Sequence, residues 1–99
     1  MAVMPISWDE AKNRTNRLKH GVSFETARHV FDDPLHISVP DRHEHGEERW
    51  KTIGLVGPVV ILLVVHTYGE ENGEEFVRII SARKANSFER GQYEDRRMR

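Results

Sequence analysis

His66, Arg49, Arg78, Arg83, Lys84 and Glu89 fall on or beside the two most sharply patterned stretches of this chain. Together they hold what metal-free cleavage of an RNA phosphodiester needs: a base for a 2′-hydroxyl, cations for the charge growing on phosphorus, and an acid for the departing 5′-oxygen. His66 is the one member whose ordinary pKa, about 6.5, suits proton transfer in either direction near neutrality. The guanidinium groups of Arg83, Arg78 and Arg49 have the planar fork that meets two phosphate oxygens at once. Lys84 and Glu89 add a further cation and a second candidate base. Plainer roles are open to the same residues. A histidine ending an apolar strand often serves as a hydrogen-bonded structural residue, and Arg49 and Arg78 could pair with Glu47, Glu48 or the acidic run of Glu70, Glu71, Glu74 and Glu75.

Other chemistries are harder to build. There is no cysteine, so disulfides, thiolate metal sites and thiol nucleophiles drop out. His43-Glu44-His45 sets two imidazoles on one side of an extended segment, but the spacing places no third ligand and zinc sites use three or four. No metal and no cofactor is expected. Neither a Gly-rich phosphate loop nor a Gly-x-Ser-x-Gly elbow occurs. The formal net charge of −1 exerts no overall pull on a polyanion, so any contact with nucleic acid rests on local segregation. Lys12, Arg14, Arg17 and Lys19 do gather near the start, and Arg78, Arg83 and Lys84 near the end. The longest apolar stretch, residues 59–65, is too short to span a bilayer, and no signal-like run precedes it; a cytoplasmic protein with no membrane contact is expected.

The elements that must position these groups follow from periodicity. Ninety-nine residues, 37% hydrophobic and 31% charged, suit one domain over residues 1–99 with a single core, its tail after about residue 95 frayed. Trp8, Ala11, Thr15 and Leu18 recur at helical spacing over residues 9–19, with Gly21 at the left-handed cap position and either Asp9 or a Ser7/Glu10 box at the start. Phe24, Ala27, Val30 and Phe31 share a face of a second short helix that ends before Pro34. Strands are expected at Leu35–Val39, over residues 48–55, over residues 59–68 and over residues 76–83, with a polar connection across residues 40–46 and a tight Asn72-Gly73 turn. Asn86 and Glu89 form a capping box for a last helix, with Ala85, Phe88 and Gln92 on one side. Helices on one side of a mostly antiparallel sheet make an α+β two-layer domain. Trp50, Phe88 and Tyr93 are more readily core residues than platforms for bases.

Six strings, in order and at fitting spacing, resemble the BrnT toxin family: W-D-E-x-K-x-x-x-N (residues 8–16), K-H-G-V-x-F (19–24), A-x-x-V-F-x-D (27–33), E-E-R-W-x-x-I-G (47–54), V-V-H-T (64–67) and R-I-I-S-A-R-K-A (78–85), followed by Glu89, Arg90 and Tyr93. The resemblance implies a RelE-like fold and a metal-independent endoribonuclease that inhibits translation. It also implies neutralisation by a BrnA-type antitoxin whose ribbon-helix-helix portion binds DNA, so that operator DNA is met only through that partner. On this view His66, Arg83, Arg49, Lys84 and Glu89 are the expected catalytic residues, and Arg78, Lys12, Lys19, His20 and Tyr93 the expected RNA contacts. The rival reading is a non-enzymatic binding module whose Lys12–Lys19 helix touches phosphates without chemistry.

Overall fold

The computed structural model describes residues 4–44 and 46–98. Their order is β1 (Ile6–Trp8), α1 (Glu10–His20), α2 (Phe24–Ala27), a 3-10 turn (Arg28–Asp32), β2 (Ile37–Glu44), β3 (Glu47–Val56), β4 (Val60–Glu71), β5 (Glu74–Lys84) and α3 (Ser87–Arg97). The strands form one sheet in the order β1-β5-β4-β3-β2; β1 runs parallel to β5 and every other pair is antiparallel. The α+β class expected from the sequence is the one observed. Its strands are longer than periodicity alone suggests. β2 runs on to Glu44 through what reads as a polar connection, because Arg42 and His43 pair with Arg49 and Glu48 across a register shift after Pro40. The lead at Ile6–Trp8 becomes an edge strand by pairing with Val77, Arg78 and Ile79. Asn72 and Gly73, at φ 53° and 81°, close the β4–β5 hairpin as a turn that needs left-handed residues.

Side chains along a strand alternate between faces, and β4 shows what each face meets. Leu62 and Val64 join Val22, Phe24, Ala27, Val30, Val77, Ile79 and Ala82 in one core, whereas Ile61 and Leu63 join Ile53, Ala85 and Tyr93 in another. α1, α2 and the 3-10 turn therefore cover one face, and α3 packs on the opposite one rather than beside them. We call these the α1 face and the α3 face. The 3-10 turn sits hard against β3: a Cβ added at Gly54 would lie 2.9 Å from both Cβ and the carbonyl oxygen of Val30.

Two helical stripes differ from expectation. Leu18 is 88% exposed and Phe88 74% exposed, while α1 buries Asn13 and Asn16 and α3 buries Glu89 and Tyr93. The reason is hydrogen bonding. Asn13 accepts from the Phe24 backbone N–H at 2.8 Å and donates to Glu25 at 2.7 Å. Asn16 donates to the carbonyls of Val22 (2.9 Å) and Ala82 (2.8 Å) and accepts from the Ala82 N–H at 3.1 Å. Where β1 stops at Trp8, one amide side chain thus continues the pairing along the edge of β5. Asp9, not Ser7, caps α1, accepting from the backbone of Ala11 and Lys12, since Ser7 is committed to β1.

Candidate active site

The candidate residues separate by face, and a single bulge decides the separation. Across β4 and β5, Val65 faces Ser81 but His66 faces Ile79, which leaves Ile80 as an extra residue of β5. Arg78 and Arg83 are an odd number of residues apart and would otherwise point to opposite sides. With the extra residue both stand on the α3 face, Arg78 beside Thr67 and Arg83 beside Leu63. On β3, alternation puts Arg49 and Lys51 on the face of Ile53, and Lys51 pairs with Val65. α3 covers the Ile53–Leu63 end of this face, and Arg49, Lys51, Arg78 and Arg83 lie beyond it, Arg78 exposed in a cleft that it shares with Glu71, Glu74 and Glu75 and the others half-buried.

Arg83 and Glu89 form a fork-on-fork pair, Nη1 to Oε1 at 2.7 Å and Nη2 to Oε2 at 2.9 Å. Glu89 also closes the N-terminus of α3: its Oε1 accepts from the Asn86 N–H while its own N–H donates to the Asn86 side chain. The hydrogen bonds from Arg83 outweigh burial and, with the charge of Lys51 nearby, hold the Glu89 carboxyl below its usual range. Glu89 in turn raises the pKa of Arg83. Lys51 is absent from the set read from the sequence; its signal was the alternation Arg49-x-Lys51-x-Ile53, legible once β3 is known to face α3.

His66 lies on the other side. Fully buried on the α1 face, its ring meets Phe31 and Tyr68 edge-on, with centroids 5.0 and 5.1 Å away. Its Nε2 is 2.7 Å from Thr52 Oγ1, which is 2.6 Å from Ser38 Oγ. Nδ1 is buried and makes no hydrogen bond. Burial lowers its pKa to about 4 against the weaker opposing influence of the Thr67 backbone, so the imidazole is neutral near pH 7. It does not share a face with the arginines. Lys84 is exposed at the end of β5 and pairs with Leu62, turned away from Arg83. Tyr93 is only 1% exposed and presents no ring face to a base: its hydroxyl donates to Asp33 Oδ2 at 2.6 Å, and burial together with that carboxylate raises its pKa to about 12. Asp33, which also accepts from the N–H groups of Leu35 and Leu55, ties α3 to β3 and the turn before β2. Lys12, Lys19 and His20 line a separate groove between α1 and β5. Among the described residues no group of three His, Asp or Glu side chains is placed to hold a metal; His45 of the His43-Glu44-His45 string lies outside them, as does Arg99 of the tail, within which α3 continues to Arg97. No helix of the described residues is long and apolar enough to cross a membrane.

The class the structure defines is a small α+β sheet with helices packed on both faces, one of which also carries arginine and lysine beside a helix-anchored carboxylate. Residues 8–89 match the model of a family described as ribonuclease toxin, BrnT, of type II toxin-antitoxin systems. The chain belongs to that family. The 1.1 Å crystal structure of the Brucella abortus ribonuclease toxin BrnT superposes with a TM-score of 0.64 at 28% identity, over 86% of this chain and all of that one. No curated protein matches.

Proposed function

We propose that the α3 face binds single-stranded RNA and cuts it by attack of a 2′-hydroxyl on the adjacent phosphate, without a metal, and that this inhibits translation. The observation that carries the reading is the bulge at Ile80, which brings Arg78 and Arg83 to the face already holding Arg49 and Lys51. Arg83 and its neighbours grip the non-bridging oxygens, where charge develops. Glu89 takes the proton. Paired with Arg83 its carboxylate is a weak base, but a phosphate that draws the guanidinium away restores its basicity at the moment the substrate is seated. Lys51 is the ammonium able to return a proton to the leaving 5′-oxygen. His66 keeps the α1 face in register and touches no substrate. A BrnA-type ribbon-helix-helix antitoxin supplies acidic groups to the same cationic surface and blocks it; DNA is contacted only by that partner.

The test is cleavage of RNA by the purified protein in EDTA. Products ending in 2′,3′-cyclic or 3′ phosphate are expected. Strict Mg²⁺ dependence with 3′-hydroxyl ends would replace the mechanism, and RNA left intact would turn the reading towards a binding module.

A further inference from the structure

We infer a second phosphate-binding site in the groove between α1 and β5, which extends the RNA track beyond the cleavage face; the inference rests on the ribonuclease reading. Asp9, Ala11, Lys12, Thr15, Asn16, Lys19 and His20 form one wall, Ile80 and Ser81 the other, around about 330 Å³. The placement of the lysines follows from Asn16. Its side chain is fixed to Ala82 on the β5 edge, and on a helix residues i−4 and i+3 share its side. Lys12 and Lys19 therefore stand before and after that anchor, on the groove and roughly 10 Å apart along the axis at 1.5 Å per residue.

The groove opens at this place because β1 ends opposite Ile79 and the bulge displaces Ile80, so that beyond Trp8 the edge of β5 is met by the Asn16 side chain at Ala82 in place of a strand. Ser81, on the groove wall, pairs with Val65 and so belongs to the row that also contains Lys51. The cations of α1 and those of the α3 face thus border one continuous surface around the β5 edge. Asp9 is the one acidic group lining the groove, and its Oδ1 accepts both of the bonds that cap α1, from the N–H groups of Ala11 and Lys12. A chain whose scissile phosphate sits at Arg83 can lay two further phosphates in the groove, one against Lys12 and one against Lys19. A ligand that repeats its charge along a flexible backbone suits two ammoniums set apart along a helix better than a compact anion does.

Salt dependence of RNA binding tests this directly. Each phosphate contact to a single strand adds about 0.7 to the slope of log affinity against log salt. In the Arg83→Ala background, which keeps the RNA intact, Lys12→Gln with Lys19→Gln should reduce that slope by about 1.4 and weaken binding of a labelled single-stranded RNA. Arg97→Gln, removing one positive charge near the far end of α3, should leave the slope alone. An unchanged slope in the double variant, or an equal loss in Arg97→Gln, overturns the site. So does a double variant that loses antitoxin affinity but keeps the wild-type slope on RNA. If the wild-type protein fails to cut RNA in EDTA and the slope still falls, the cleavage reading fails and the groove stands.

Discussion

The two faces of the sheet are built from the same strands and handle polar groups in opposite ways. On the α1 face, Ser38, Thr52 and His66 are sealed beneath Phe31 and satisfied largely by one another, so the imidazole is held neutral. On the α3 face, Arg83 and Glu89 are kept charged by each other, Arg78 is exposed, and Arg49 and Lys51 are half-buried. Histidine is the side chain that usually advertises proton transfer, yet here it sits on the closed side. A titratable residue becomes useful to a substrate only when the pleat delivers it to a surface the substrate can reach, and neighbouring positions of one strand differ completely in that respect.

Three substitutions sharpen or break the contrast. The largest effect belongs to the open face: Arg83→Ala should lower the cleavage rate by about 10²–10³-fold, the usual loss for one preorganised donor to a transition state, with the fold retained at a lower unfolding midpoint because the buried Glu89 loses its partner. A rate that survives would remove Arg83 from the site. The closed face should respond in stability instead. His66 has a folded pKa of about 4 against 6.5 when unfolded, so the unfolded chain binds the extra proton. The stability this confers is complete above pH 6.5 and is lost as pH falls towards 4, by about 3 kcal/mol. Denaturant titrations over that range should show the decline in wild type and a shallower one in His66→Gln. Should His66→Gln instead erase a limb of the pH–rate profile without touching stability, the imidazole works on substrate and the contrast collapses. The smallest effect concerns how α3 is held: Tyr93→Phe forfeits the bond to Asp33, which keeps its contacts to Leu35 and Leu55. A cost of about 1 kcal/mol, seen as a Tm lower by about 4–8 °C, is expected; no change would mean that α3 rests on apolar contact alone.

Much of this was legible in the sequence. Alternation located four of the five strands, Asn72-Gly73 the hairpin, and Asn86 with Glu89 the cap of α3, because each is a local pattern with a local cause. The six matching strings pointed to the family that the comparison then showed. What could not be read was which face each residue takes, since the bulge at Ile80 is a property of pairing between β4 and β5 and leaves no mark on the spacing of either strand alone. For the same reason His66 was grouped with arginines that lie behind it. The helix stripes misled because the burial of Asn13 and Asn16 depends on acceptors at Val22 and Ala82 and donors at Phe24 and Ala82, contacts an apolar count does not register. Arg83 and Glu89, six residues apart, were each named for a separate role, and only the fold, through the turn into α3, joined them as a pair on the open face.

The hairpin joining β4 to β5 gives the molecule a direction. Glu70 faces Glu75 and Glu71 faces Glu74 across the two arms, like charges set opposite one another at some cost to the pairing. Within a net charge of −1 this tip is a local concentration of negative charge at one end of the hairpin. An approaching polyanion therefore exerts a torque, swinging the tip away and the cations forward before any atom touches. At 0.15 M salt, where screening acts within about 8 Å, that turn is completed only in the last nanometre of the encounter.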